Sequence, residues 1–418
     1  MNILIKSAKI VDPKSEHNNE TRDILVEKDR ITKISSRISN PGNYKEIRLP
    51  NLHVSPGWFD SSVCFGQPGY EERETIKNGL KTAAISGFTA VGLNSNTKPV
   101  ASTGSDISFL LSQSQGSAVK LLPIGALSED SEGNNLSEMY DMLQAGAVAF
   151  YDYQKSISDP NFAKIALQYS SSFDALICLF PFDKSVSESG VMHEGFYSTS
   201  LGLNGIPSMA EFLRVQRDLS LLEYTDGKLH IPTISTRESV QSIREAKSKG
   251  LDVSCSVAIH NLLFTDETLK HFDSNCKVLP PLREDNDREA LIAGLKDGTI
   301  DMVTSDHNPL DIELKKLEFD HAEFGTIGLE TAFGALNSVL PIKTTVKVLT
   351  RGKTRFGQDN STINVGEIID ATLFDPSENY VFEKSMILSK SKNSLFMGKK
   401  LKGRVYGIIS NGKSEIRN

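Results

Sequence analysis

The sequence predicts an α/β protein: a (β/α)8 (TIM) barrel plus a small β-sandwich formed by the N- and C-terminal segments. Three observations predict it. From about residue 58, eight short apolar runs alternate with helical patterns. Short β-branched runs fill residues 1 to about 53, and the same character returns after about residue 356. Alternating strands and helices signal a parallel sheet. Eight repeats over about 300 residues suit a barrel, which typically needs about 250. The division is therefore 1–54 for the first sandwich part, 55–355 for the barrel and 356–418 for the second sandwich part.

The N-terminal runs are Ile3-Leu4-Ile5, Lys9-Ile10-Val11, Asp23-Ile24-Leu25-Val26 and Ile31-Thr32-Lys33-Ile34, separated by turn formers. Residues 12–22 are polar and read as a hairpin loop. The eight barrel runs are Trp58–Phe65, Thr89–Leu93, Val119–Ile124, Ala147–Tyr151, Ala175–Phe180, Lys228–Pro232, Asp252–Val257 and Ile300–Thr304. Helices fit at Glu71–Ser86, Leu136–Ala145, Asn161–Ser170, Met209–Leu222 and Arg237–Ser248. The last opens on Ser235-Thr236-Arg237-Glu238, which fits a capping box, and stops at Lys249-Gly250. Pro341, Gly352 and Gly357 mark the return to β structure at Ala371–Phe374, Met386–Leu388 and Arg404–Ile409.

Composition narrows the function classes. Hydrophobic residues make up 39% of the 418, enough for a large core. A net charge of −7 and no basic stripe argue against nucleic-acid binding. Cys64, Cys178, Cys255 and Cys276 are scattered, which fits reduced buried thiols in a cytoplasmic protein. Charge and Asp12-Pro13 follow Met1–Lys6 too soon for a signal peptide, and no run of 18 apolar residues suggests a membrane span.

One stretch organises the rest: Pro56-Gly-Trp-Phe-Asp-Ser-Ser-Val-Cys-Phe-Gly-Gln-Pro-Gly69. In a strand, Asp60, Ser62 and Cys64 share one face. The stretch resembles the opening strand of the dihydroorotase and cyclic amidohydrolase family, Pro-Gly-x-x-Asp-x-His-x-His-x-Arg-x-Pro-Gly. Further ordered matches are Asn96-Thr97-Lys98-Pro99, Gly205–Glu211, Lys277–Arg283, Asp297–Asp301, Ser305-Asp306-His307-Asn308-Pro309, Gly328-Leu329-Glu330-Thr331, Gly366–Pro376 and Asn393–Gly398. The resemblance covers nearly the whole chain.

By that resemblance, the family's zinc site would use four His, a bridging acidic group and a final Asp. The corresponding positions here are Ser62, Cys64, Asp152, Phe180, Thr233 and Asp306. All four imidazoles are gone and both carboxylates remain. Zinc takes imidazole, thiolate and carboxylate donors, so only Cys64 could substitute. The substrate positions change too. The family's Arg is Gly66, its Asn before Pro-Pro-Leu-Arg is Leu279, and the His after Asp-His-Ala-Pro is Leu310. Asn96 is kept. Asp306 as catalytic residue and Asn96 as substrate contact are thus vestiges.

The resemblance implies a pseudoenzyme: a dihydroorotase homologue of pyrimidine biosynthesis acting as a scaffold, without a metal cofactor. An aspartate transcarbamoylase-like subunit is one implied partner, and a homodimer or larger homo-oligomer is expected. The alternative is an active cyclic amidohydrolase with an unusual zinc site built from Cys64, Asp152, His230 and Asp306. A third reading is a small-molecule sensor. Plainer readings stand beside each residue. Asp306 with His307 is a structural remnant, Asp152 pairs with a neighbouring donor, and His230 is a hydrogen-bonded core histidine. His260 packs a loop, Cys64 is a small buried residue, and Trp58 is a core or sandwich–barrel contact.

Overall fold

The computed structural model describes residues 1–417. Both ends of the chain enter one sheet. Its strand order is Lys413–Ile416, Lys400–Ser410, Ala371–Val381, His53–Pro56, Ile3–Ile10, Thr21–Glu27 and Arg30–Ser35, with Lys45–Ile47 pairing beside Ile3–Ile10. Ile3, Ile5, Ile24, Val54, Leu373 and Ile409 bury their side chains together on it. Burial of these β-branched and leucine side chains, at about 25 cal/mol per Å², is what ties the two termini together.

The second sheet is the barrel. Its eight parallel strands are Trp58–Val63, Phe88–Leu93, Lys120–Gly125, Ala149–Tyr151, Ile177–Cys178, Leu229–Ile231, Val253–Ala258 and Met302–Thr304. Each neighbours the next in sequence order. All eight coincide with predicted runs. Strands one and eight meet at a seam, where Val63 bridges His307 and the Cys64 N–H donates to the His307 carbonyl at 2.8 Å. Asp60 latches the same seam. It accepts from Ser305 N at 3.0 Å and from the Thr304 hydroxyl at 2.5 Å, both beyond strand one.

Trp58 packs where the two sheets meet. Its ring stacks on Phe333 at 4.8 Å and lies 5.5 Å from Phe374 of the terminal sheet. Its Nε1–H, which burial would otherwise orphan, donates to Ser55 Oγ at 2.9 Å.

Several local expectations change. Ile3–Ile5 and Lys9–Val11 are not two strands but one, Ile3–Ile10, irregular between Ile5 and Ala8. Ser7 there has φ +51°, so the chain bulges without ending the strand. Met386–Leu388 is no strand: Lys384–Met386 form a 3-10 turn, because this short run finds no pairing partner. The helix Arg237–Ser248 is capped by Thr236, whose hydroxyl accepts from Ser239 N at 3.3 Å. The reciprocal Ser235–Glu238 box does not form. Glu211 claims the hydroxyls and N–H groups of both Ser235 and Thr236. The predicted stop holds, with Gly250 at φ +84°. The short parallel pair Met192–His193 with Gly205–Ile206 was not predicted. Strands of two residues carry too little periodicity to read.

Candidate functional site

The barrel's strand ends bring the six family ligand positions to one face, and all six side chains are buried. Ser62 on strand one and Cys64 just after it lie beside Asn94, whose Nδ2 donates to Ser62 Oγ at 2.9 Å and reaches Cys64 Sγ at 3.7 Å. Burial first, and the charge of Asp306 second, push the Cys64 thiol up to about 12. It is a protonated packing group at neutral pH, and a thiol is no nucleophile until it ionises.

Asp152 follows strand four. Its Oδ1 accepts from Leu127 N at 2.9 Å and Ser128 N at 3.1 Å, and the Ser128 hydroxyl donates to Oδ2. The carboxylate ties down a neighbouring loop and has its lone pairs committed there. Phe180, after strand five, stacks on Phe182 at 5.9 Å and offers no donor atom. Thr233, after strand six, has φ +47°, an outlier for a β-branched residue, and its hydroxyl is buried without a partner.

Asp306 follows strand eight, also in the left-handed region at φ +46°. Its Oδ1 accepts from Tyr153 at 3.3 Å and Ser62 at 3.5 Å, two long bonds for a fully buried carboxylate. Burial pushes it up to about 7. His307 turns the other way. Its Nδ1 accepts from Gly328 N and Leu329 N, so it makes no acid–base pair with Asp306.

His230 is held between two strand-seven serines: its Nδ1 lies 2.9 Å from Ser254 Oγ and its Nε2 3.2 Å from Ser256 Oγ. Burial drives its pKa down to about 3. With both nitrogens occupied it cannot serve a metal without breaking that pair. His260 is fully buried, and neither nitrogen has a partner.

These donors do not fit a zinc ion. Phe180 cannot ligate, Ser62 and Thr233 offer only neutral hydroxyls, Asp152 is committed to its loop and His230 to serines. The substrate positions are equally altered. Gly66 has φ +72°, and a Cβ there would lie 2.6 Å from the Tyr70 carbonyl, so the backbone now excludes an Arg. Leu279 and Leu310 are buried apolar groups. Asn96 keeps a buried Oδ1 with no partner. At the centre, Ser62, Asn94, Tyr151, Cys178, His230 and Phe356 enclose a cavity of about 10 Å³. That is at the lower limit for one water.

The residues not anticipated are Asn94, Tyr151, Tyr153 and Ser256. Asn94 and Tyr153 follow predicted strands directly. The signal was positional: barrel sites take their residues from strand C-termini.

A family model described as dihydro-orotase-like matches residues 52–239. Among curated relatives, a dihydroorotase of Geotalea daltonii is 37% identical, with 99% of each chain covered. One of Acetivibrio thermocellus is 39% identical, again over 99% of each. Among solved structures, the L-hydantoinase (dihydropyrimidinase) of Arthrobacter aurescens superposes with a TM-score of 0.86 at 21% identity, over 99% of this chain and 95% of that one.

Proposed function

This chain belongs to the dihydroorotase-like family, and from that premise we propose that it has lost catalysis and serves as a scaffold subunit. One observation carries the reading: the barrel centre has been rebuilt as core. Phe180, Leu279 and Leu310 stand buried at positions where the family places polar groups, and the cavity beside Ser62 and His230 holds about 10 Å³. A cyclic amide needs a cleft of a few hundred Å³. Amide hydrolysis in this family's manner needs a Lewis acid to polarise the carbonyl and supply hydroxide, and the donors that would hold one are missing or committed elsewhere.

The setting in pyrimidine synthesis rests on kinship, since the curated relatives are dihydroorotases. The partner of this reading is an aspartate transcarbamoylase-like subunit, or further copies of the chain as a homodimer or larger assembly in the cytoplasm. No helix among the described residues is long and apolar enough to cross a membrane.

The test is direct. Purified chain given dihydroorotate, with and without added zinc, leaves it unhydrolysed. Turnover at ordinary enzyme rates that co-purifies with the chain and disappears in Asp306→Ala overturns the reading. One observation favours a second reading, an active hydrolase with a non-standard metal site. Asp306 sits near pH 7, where a general base is most useful. That reading requires about one metal per chain after zinc-replete growth, and elemental analysis decides between the two.

A further inference from the structure

The loops after strands five and seven build a niche that shares no residue with the barrel centre. Phe196, Tyr197, Asp266 and Glu284 line it, and His193 reaches it from the strand Met192–His193. Phe196 is 74% exposed, and its ring meets Tyr197 edge to face at 5.3 Å.

Four carboxylates surround this aromatic pair, and they differ in their partners. Glu267 has Lys270 at 3.2 Å, and Asp285 has Arg288 at 2.9 Å. Asp266 and Glu284 have no Lys or Arg within 4 Å among the described residues. Asp266 is only 4% exposed, and its Oδ2 has no hydrogen-bond donor among the described residues. Ligand atoms of His193, Asp266 and Glu284 lie within 4.8 Å of one another. Burial, then the charge of Glu284, push Asp266 up to about 6. Two carboxylates therefore face each other, one of them buried, with the compensating cation missing.

The neighbouring histidine decides what kind of cation fits. Arg283 Nη1 donates to His193 Nδ1 at 3.1 Å and to the Ile206 carbonyl at 2.7 Å. The neutral ring must then carry its proton on Nε2, the atom that faces the carboxylates. A metal would need the lone pair at that atom, and a metal-bound His normally donates from its other nitrogen instead of accepting there. An organic cation has no such conflict. A guanidinium gives N–H groups to the carboxylates and lays its plane on an aromatic face.

We propose that this niche seats an arginine side chain from a basic segment of a protein partner. The charge is complementary, the buried acceptor is unused, and the exposed ring supplies the stacking surface.

The full chain is titrated at low salt with N-acetyl-arginine methylamide, with its neutral citrulline counterpart, and with zinc or manganese chloride, by calorimetry and thermal melting. The arginine compound binds saturably, its affinity falls as salt rises, and the citrulline compound binds about tenfold more weakly or worse. Asp266→Asn and Phe196→Ala each weaken binding several-fold. Asp266→Asn also melts no lower than the parent at pH 8, because it removes an unpaired buried charge; a merely structural Asp266 would melt lower. If that variant fails to fold, Phe196→Ala, at an exposed ring, decides alone. Equal binding of the citrulline compound, no binding of either, or stoichiometric metal lost in Asp266→Asn overturns the proposal.

Discussion

Two buried carboxylates lie at one edge of the barrel, in regions that treat them differently. Asp60 belongs to the closing seam. It accepts from the Thr304 hydroxyl, Ser305 N and Ser62 N, so its burial is matched by three donors at 3.1 Å or less. Asp306 belongs to the strand-end face. It accepts two side-chain hydroxyls at 3.3 and 3.5 Å, from a left-handed backbone. Unpaired buried charge costs several times what a satisfied one does. The seam is built for stability. The strand-end face leaves its carboxylate with two long bonds and no counter-charge.

Removing the seam carboxylate has the largest expected effect. Asp60→Ala leaves three buried donors unmatched, at about 1–3 kcal/mol each before relaxation, so about 3–5 kcal/mol is lost in urea unfolding. A loss under about 1 kcal/mol would mean the seam does not depend on this latch. Next is Phe180→Ala, which removes a ring packed where the family has a ligand. It lowers stability by about 3 kcal/mol if the ring is core. A neutral result would show that the site can still open.

Asp306→Asn moves the other way. The parent's carboxyl titrates near 3.9 unfolded and near 7 folded. Below about pH 4 both states are protonated, and the group imposes no penalty. The penalty builds as pH rises from about 4 to 7 and is constant above. The variant therefore equals the parent near pH 4 and gains about 1–3 kcal/mol by pH 8. Melting curves across that range check it; a variant less stable at pH 8 would place Asp306 among the structural carboxylates with Asp60. The smallest effect is at Thr233, where φ is +47°. Thr233→Gly relieves that backbone for about 1 kcal/mol of gain, offset in part by chain entropy. A clear loss would mean that the threonine packing outweighs the strain.

The site was legible as positions and not as contacts. The frame Pro56–Gly69 and the run Ser305–Pro309 located Ser62, Cys64 and Asp306, because strand ends project residues to one face whatever the residues are. That Asp152 is tied to Leu127 and Ser128, or that His230 sits between Ser254 and Ser256, could not be read. Those partners are 24 to 26 residues away, and side-chain direction carries no periodic signal. The niche at Asp266 was unreadable for the same reason. His193 is far from Glu284 in the chain, and only the loops after strands five and seven bring them together.

By itself the sequence determined the eight-strand alternation and the joining of the two termini in one small β unit; set against the family pattern it resembles, it also lacks the four imidazoles. Each of these is carried by local pattern or residue identity: apolar period, turn residues, and the chemistry a side chain can or cannot do. Only the tertiary structure decided which buried charges are satisfied, how little space the barrel centre keeps, and which carboxylates lack a cation. Those are properties of distances between remote residues, fixed when packing excludes water and each polar group must find its partner inside the protein.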